Sequence, residues 1–226
     1  LPSEARLQAL TATHMGGTPD TFRSFLWAKF DRTPVDWGTW TDSTVHRRAT
    51  QSEGEHSGAW VRFAGVRATP LIIRVGTSFI GARQAEHNLE REIGDASFDD
   101  VAAQGRGEWN ELLGRAHVEG GPAERRTVFY TALYRSLLFP RSWHEIDPGG
   151  RVIHFSPYDG RVHAGPMVTD LGLWDAYRTH LPLYFLLFPD RGSTILQGLT
   201  NAYREGGWFH KWPSPGYRTG MPGTKA

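Results

Sequence analysis

The sequence predicts a multidomain α and β protein with a β-sandwich first and helices after it. Short segments with alternating apolar residues occupy positions 21–30, 58–63 and 71–80, and turn-forming residues separate them. From Ala82 the apolar residues recur every four positions, which is close to the period of a helix. Strands without intervening helices favour a sandwich, and the change from strands to helices favours two domains over one interleaved sheet.

Composition argues against several classes of partner. The 25 Lys and Arg residues nearly balance the 24 Asp and Glu residues, and no basic run is longer than a pair. A nucleic-acid or anionic-membrane partner is therefore not expected. The most apolar stretch, 181–188, is interrupted by a proline and is far shorter than the ~20 residues of a membrane span. No membrane span is expected either.

The helical part can be divided by its start and stop signals. Ser97 is a candidate cap with Asp99 and Asp100 in the first turn, and Pro122 suits the start of a helix that ends before Pro140. Further helices are expected over 82–93, over 171–188 with a bend at a proline, and over 193–205. Residues 141–170 are rich in Gly, Pro, His and Asp, which predicts a long functional loop.

Aromatic residues make up 12% of the chain. Aromatic rings stack on the C–H faces of sugars, although most are expected to fill cores. A glycosidase also needs two carboxyl groups across the scissile bond. The candidates in the second half are Glu145, Asp147, Asp159, Asp170, Asp175 and Glu205. Asp175 stands out because Trp174, Tyr177 and Arg178 surround it, but a buried Asp–Arg pair at a helix start is the alternative.

Six ordered segments resemble glycoside hydrolase family 92. The three longest are FYTALYRS at 129–136, WDAYRT at 174–179 and GWFHKW at 207–212. Upstream, FDR at 30–32, VGTSF at 75–79 and NLE at 88–90 occur in the expected order. The resemblance covers about residues 25–221, and the ordered set is much more specific than any one segment.

The resemblance implies an N-terminal β-sandwich over 1–82, a helical linker over 83–118 and the start of an incomplete (α/α)6 toroid over 119–226. It implies calcium-dependent hydrolysis of α-mannosidic linkages with inversion, by a secreted or periplasmic enzyme acting on a mannose-containing glycan. The substrate-binding residues that it implies are Trp174, Asp175, Arg178, His210, Trp212 and Arg218. The catalytic base and the calcium ligands are expected beyond Ala226, so this chain alone is expected to be inactive and to hold no metal.

One departure from the family bears on the substrate. Members usually carry a general-acid Glu between a Trp and a Met-x-Gly motif, but residues 212–223 read WPSPGYRTGMPG, without a carboxylate. Members that lack this acid are associated with mannosyl phosphodiesters, whose phosphate leaves without being protonated. Arg218 or His210 is expected to face such a phosphate.

Two other functions remain open on the sequence. The first is a noncatalytic carbohydrate-binding or scaffold protein that keeps part of the sugar pocket. The second is another (α/α)6 enzyme, such as a lyase or phosphorylase, for which Tyr177 and His180 are the candidates. Turnover and sensitivity to a chelator separate the first alternative from a calcium-dependent hydrolase.

Overall fold

The computed structural model describes residues 6–12, 17–65 and 69–216, and the chain forms two compact units. The first unit comprises Leu1–Thr11 and Ser24–Asp95, and the second comprises Ala12–Arg23 and Ala96–Ala226. The predicted order of strands followed by helices is confirmed. The boundaries at residues 82 and 118 stay predictions.

The first unit contains two three-stranded antiparallel sheets and one helix. Its elements are β1 (Arg6–Thr11), β2 (Ser24–Phe30), β3 (Asp36–Thr41), β4 (Thr44–Arg47), β5 (Ser57–Arg62), β6 (Ile73–Ser78) and α1 (Ala82–Glu92). One sheet has the order β1-β2-β6 and the other has the order β4-β3-β5.

Helix α1 packs closely on the first sheet because β6 carries a glycine at the contact. A β-carbon on Gly76 would overlap with the backbone oxygen of Ala85 and lie 2.8 Å from Leu89 Cβ. Ala85 and Leu89 are buried there with Trp27 of β2. The Asn88 side chain donates a hydrogen bond to the Thr77 carbonyl over 2.9 Å, so polar and apolar contacts both hold the helix.

After Asp95 the second unit continues with two helices that follow the predicted signals. They are α2 (Phe98–Leu113) and α3 (Ala123–Ser136). The Ser97 hydroxyl accepts a hydrogen bond from the Asp100 amide, and the Asp100 carboxylate accepts one from the Ser97 amide. This reciprocal pair is a capping box, which satisfies amides that a helix start leaves open.

Residues 141–170 are not the predicted long loop. They form five short strands, β7 (Arg141–Ser142), β8 (Glu145–Ile146), β9 (Val152–Phe155), β10 (Val162–Ala164) and β11 (Val168–Thr169). Strands β8, β9 and β10 make one antiparallel sheet, and β7 pairs with β11. Phe22 packs on this region, stacked on Trp143 with ring centroids 6.0 Å apart and edge-on to Phe155 at 5.9 Å.

The predicted single helix over 171–188 is wrong, because two helices occupy this range. They are α4 (Leu173–Ala176) and α5 (His180–Leu187), and α6 (Pro189–Gly206) follows. Pro182 lies in the first turn of α5, where a missing amide proton needs no partner. The main core of this unit lies among α3, β11, α5 and α6 and includes Leu133, Val168, Leu171, Tyr184, Phe188 and Ile195. Among the described residues, no helix is long and apolar enough to span a bilayer.

Candidate functional site

A cavity of about 370 Å³ opens in the second unit between the end of α3 and the start of α5. Its volume falls within the usual range for small-ligand pockets. Its polar lining residues are Arg135, Ser136, Asp170, Asp175 and His180. Two carboxylates, one guanidinium and one imidazole at a single opening suit a ligand with many hydroxyl groups.

Backbone pairing places Trp212 beside this cavity. The Leu171 amide donates to the Pro213 carbonyl over 3.1 Å, and the Leu173 amide donates to the Lys211 carbonyl over 3.4 Å. Residues 171–173 and 211–213 therefore run side by side, with Gly172 near Trp212.

Gly172 also makes room for Asp175. A β-carbon at Gly172 would overlap with Asp175 Oδ2 and would lie 3.4 Å from Trp212 Cζ3. The structure therefore brings together Asp175 and Trp212, two of the residues predicted to bind substrate. An indole face beside a carboxylate is a suitable surface for a sugar ring and its hydroxyl groups.

Two fixed contacts shape the polar side of the cavity. Arg141 forms an ion pair with Asp170 at 3.6 Å, and Asp170 has a left-handed backbone with φ of 60°. His180 Nε2 donates to the Ser136 carbonyl over 2.6 Å, which joins α5 to the end of α3. These contacts hold the lining residues in place before any ligand arrives.

Trp174, Asp175 and Arg178 are all exposed. The Arg178 guanidinium lies over the Tyr177 ring, 5.0 Å from its centroid, and donates a hydrogen bond to the Tyr177 hydroxyl. Asp175 and Arg178 are therefore not buried, and the Arg178 guanidinium contacts Tyr177. The alternative of a buried Asp–Arg pair at the helix start is therefore wrong.

His210 lies beneath the surface, with 7% of its area exposed. Its ring stacks on Tyr158 with centroids 4.1 Å apart and planes 5° from parallel. Burial lowers the pKa of His210, and a hydrogen bond to the Ala202 backbone opposes this shift. The imidazole is therefore neutral at neutral pH. Arg218, the other residue predicted to face a phosphate, lies outside the described residues.

Three of the remaining candidate carboxylates form side-chain pairs elsewhere. Glu205 contacts the fully buried His154 at 3.0 Å. Asp147 pairs with Arg151, and Asp159 pairs with His163. Arg135 and Ser136 were not predicted to line a site, although both belong to the segment 129–136 that carries the family resemblance.

The described residues include no group of three or more His, Asp or Glu side chains that could hold a metal ion. Asp170, Asp175 and His180 line the cavity, but they do not form a group that could hold a metal ion. A calcium ion would need several oxygen ligands. These residues alone therefore do not fit a calcium site.

The family assignment comes from both units. Residues 84–226 match the family model of the glycosyl hydrolase family 92 catalytic domain, and residues 2–78 match that of the family 92 N-terminal domain. The chain belongs to glycosyl hydrolase family 92. The predicted resemblance is confirmed, and the matched segments cover the cavity and the strand-rich unit of this family 92 chain.

Solved structures share the fold of the family 92 chain. A family GH92 inverting mannosidase from Bacteroides thetaiotaomicron is 37% identical with a TM-score of 0.93, over 97% of this chain and 30% of that protein. A gh92 family glycosyl hydrolase named ccman5 is 23% identical with a TM-score of 0.78, over 96% of this chain and 29% of that protein.

A relative from Arthroderma benhamiae is described as an uncharacterized secreted glycosidase. It is 31% identical over 98 residues, which are 41% of this chain and 13% of the relative. The family 92 chain thus spans less than a third of the length of each of these three proteins.

Proposed function

We propose that this family 92 chain is part of a secreted enzyme that hydrolyses α-mannosidic linkages with inversion. The observation that carries the proposal is the similarity to an inverting mannosidase over 97% of the chain at 37% identity. The secreted location rests on the relative that is named a secreted glycosidase. In this proposal α2 belongs to the helical linker, and α3 to α6 include the first helices of an (α/α)6 toroid.

The cavity beside Gly172 is the proposed mannose-binding site. Asp175 accepts hydrogen bonds from sugar hydroxyls, and Trp212 packs against the ring, because both side chains meet at the same backbone position. Charge-assisted hydrogen bonds of this kind are stronger than neutral ones. Asp175 is exposed, so it can reach a ligand without breaking an internal contact.

We infer that the substrate is a mannosyl phosphodiester. Residues 212–223 contain no carboxylate that could act as the expected general acid. A phosphate is a good leaving group without protonation, whereas an alcohol is not. His210 was expected to face the phosphate, but its ring is buried and neutral, so it does not offer a positive charge to this group. Among the described residues, Arg135 is the cation that lines the cavity.

Calcium remains a proposal for the whole protein, with its ligands outside this chain. The described residues do not supply a calcium site, so we assign them no step that passes through the metal. Their proposed role is to bind and orient the mannose.

The test measures kcat/KM of the full-length protein that contains this chain on two substrates. A mannosyl phosphodiester should be hydrolysed with a kcat/KM at least about 100-fold above that of an alkyl α-mannoside, because only the alcohol needs a general acid. Proton NMR should show β-mannose as the first product, as inversion requires. Equal rates on both substrates would remove the phosphodiester proposal, and binding without turnover would favour the noncatalytic alternative.

Asp175→Asn tests the site itself. Loss of charge-assisted hydrogen bonds should lower kcat/KM by roughly 10- to 150-fold, with little change in the unfolding temperature. The matched control is Asp190→Asn, which changes an exposed aspartate at the start of α6. This control should keep full activity. An unchanged kcat/KM in Asp175→Asn would place mannose elsewhere.

A further inference from the structure

Two tryptophans pack closely against two glycines on the β4-β3-β5 sheet. In the strand register Gly38 is opposite Trp60, and Trp40 is opposite Gly58, so all four residues share one face. A β-carbon on Gly58 would lie 2.7 Å from Trp40 Cζ2, and one on Gly38 would lie 2.9 Å from Trp60 Cζ2. Each glycine therefore lets an indole rest directly on the sheet.

Glycine within a strand weakens the strand and commonly marks a close approach of another group. Here the approaching groups are the two indoles and, at Gly38, the His46 carbonyl oxygen. Both indoles keep part of their area exposed. Trp40 is 37% exposed, and Trp60 is partly buried. Together with the exposed Val45 opposite Trp40, they form an apolar area, which we call the tryptophan face.

Arginines border the tryptophan face around one buried carboxylate. Arg62 is opposite Asp36, and Arg47 is opposite Gly38, so both belong to the same face of the sheet. Both donate to Asp36 Oδ2, Arg47 over 2.5 Å and Arg62 over 3.4 Å. Arg48 reaches Asp36 Oδ1 at 3.2 Å. Three cations against one carboxylate leave this end of the sheet strongly positive.

The arginines have capacity for a second acceptor. Each guanidinium carries five N–H donors in a planar fork, and the single contact with Asp36 uses only part of them. The Arg47 and Arg62 side chains are 71% and 65% exposed, whereas Asp36 is 2% exposed. The buried carboxylate fixes the arginines from below, and their remaining donors are available to an anion at the surface. Guanidinium forks match phosphate oxygens well.

We propose that the tryptophan face binds a phosphate-bearing glycan, with sugar rings stacked on Trp40 and Trp60 and the phosphate held by Arg47 and Arg62. Indole faces recognise the C–H faces of sugars, and the surplus of positive charge selects an anionic glycan over a neutral one. The tryptophan face shares no residue with the cavity of the second unit. The inference does not rest on the proposed hydrolysis, because binding here needs no turnover.

Affinity electrophoresis of the full-length protein tests the charge requirement. The probes are a mannan that carries phosphodiester groups and the same mannan after removal of phosphate. The unaltered protein should bind the phosphorylated mannan roughly tenfold or more tightly, as expected for charge-assisted contacts. The double variant Arg47→Gln/Arg62→Gln should lose most of this preference, since only binding at the cavity of the second unit is left unaltered. The control is Arg151→Gln, since Arg151 is also exposed and pairs with a buried aspartate, Asp147, but lies in the other unit.

Trp40→Ala tests the stacking requirement and should weaken binding of both mannans. The control is Trp208→Ala, which removes an exposed tryptophan of the second unit and should leave binding unchanged. Thermal unfolding shows whether each variant is folded. If Trp40→Ala fails to fold, the arginine double variant still tests the proposal. The proposal is overturned if the unaltered protein binds both mannans equally or neither, if inorganic phosphate alone binds as tightly, or if the arginine variant keeps the whole preference. The indoles would then serve only to cover the glycines.

Discussion

At the scale of single residues, burial decides which titratable groups can act on a ligand. His210 and Asp175 were both predicted to bind substrate, but His210 is stacked on Tyr158 below the surface, whereas Asp175 is exposed beside Gly172. A buried imidazole with a lowered pKa does not offer a positive charge to a phosphate at neutral pH. His210 therefore contributes to packing, and its titration affects stability.

His210 should make the protein less stable as the pH falls below neutral. Burial lowers the pKa of His210 in the folded state, whereas an unfolded histidine titrates near about 6.5. Below that pH the unfolded chain binds a proton that the folded chain does not. The free energy of unfolding should then fall by at most about 1.4 kcal/mol per pH unit for this one group.

Urea unfolding of the unaltered protein and of His210→Phe, measured from about pH 7 down to pH 5, checks this prediction. The variant should show the flatter dependence on pH, although its stability at pH 7 can be lower. His117→Gln changes an exposed histidine and should leave the slope as it was. Parallel curves for His210→Phe and the unaltered protein would contradict the assignment.

At the scale of elements, the sequence predicted the helices, whose formation depends on residues that are close along the chain. Helices α1, α2 and α3 were found from apolar spacing and from caps, and the Ser97–Asp100 capping box is a local feature. Strands β7 and β11 were missed because they contain two residues each, and their pairing joins Ser142 to Val168. A strand of two residues has no visible alternation. Its existence depends on a distant partner that the local pattern does not show.

The buried side of α3 should account for much of the stability of the second unit. Leu133 is buried in the main core, so Leu133→Ala should lower the free energy of unfolding by about 2–5 kcal/mol. Val128→Ala, at an exposed position of the same helix, should change it by less than about 0.5 kcal/mol. Chemical denaturation of both variants provides the measurement, and equal losses would show that α3 is not oriented as described.

At the scale of the whole molecule, the family resemblance predicted side chains that lie close together, which composition alone did not. It selected Asp175 and Trp212, which the structure places at one glycine. His180 was a candidate only for the lyase or phosphorylase alternative, and the resemblance did not select it. It forms part of the cavity through a hydrogen bond to the Ser136 carbonyl 44 positions earlier. Such a contact depends on how helices pack, so the order of residues along the chain could not show it.

Removal of calcium should stop hydrolysis by the full-length protein without unfolding this chain. The described residues hold no metal-binding group of three side chains, so their fold should not depend on the ion. With EDTA, kcat should fall by at least about 100-fold, since a metal typically contributes several kcal/mol to transition-state stabilisation. Added calcium should restore it, and far-UV circular dichroism should stay unchanged. Full activity in EDTA would exclude the calcium proposal.

The contact of Phe22 with Trp143 and Phe155 has a consequence for recombination between genes of this family. Phe22 belongs to the segment Ala12–Arg23, which is part of the second unit although strands of the first unit flank it. A recombination event that transferred only the gene region after residue 95 would deliver the second unit without this ring. Loss of a buried phenylalanine typically costs about 3–5 kcal/mol. Natural exchange of gene segments should therefore keep Phe22 together with the sequence that it packs against.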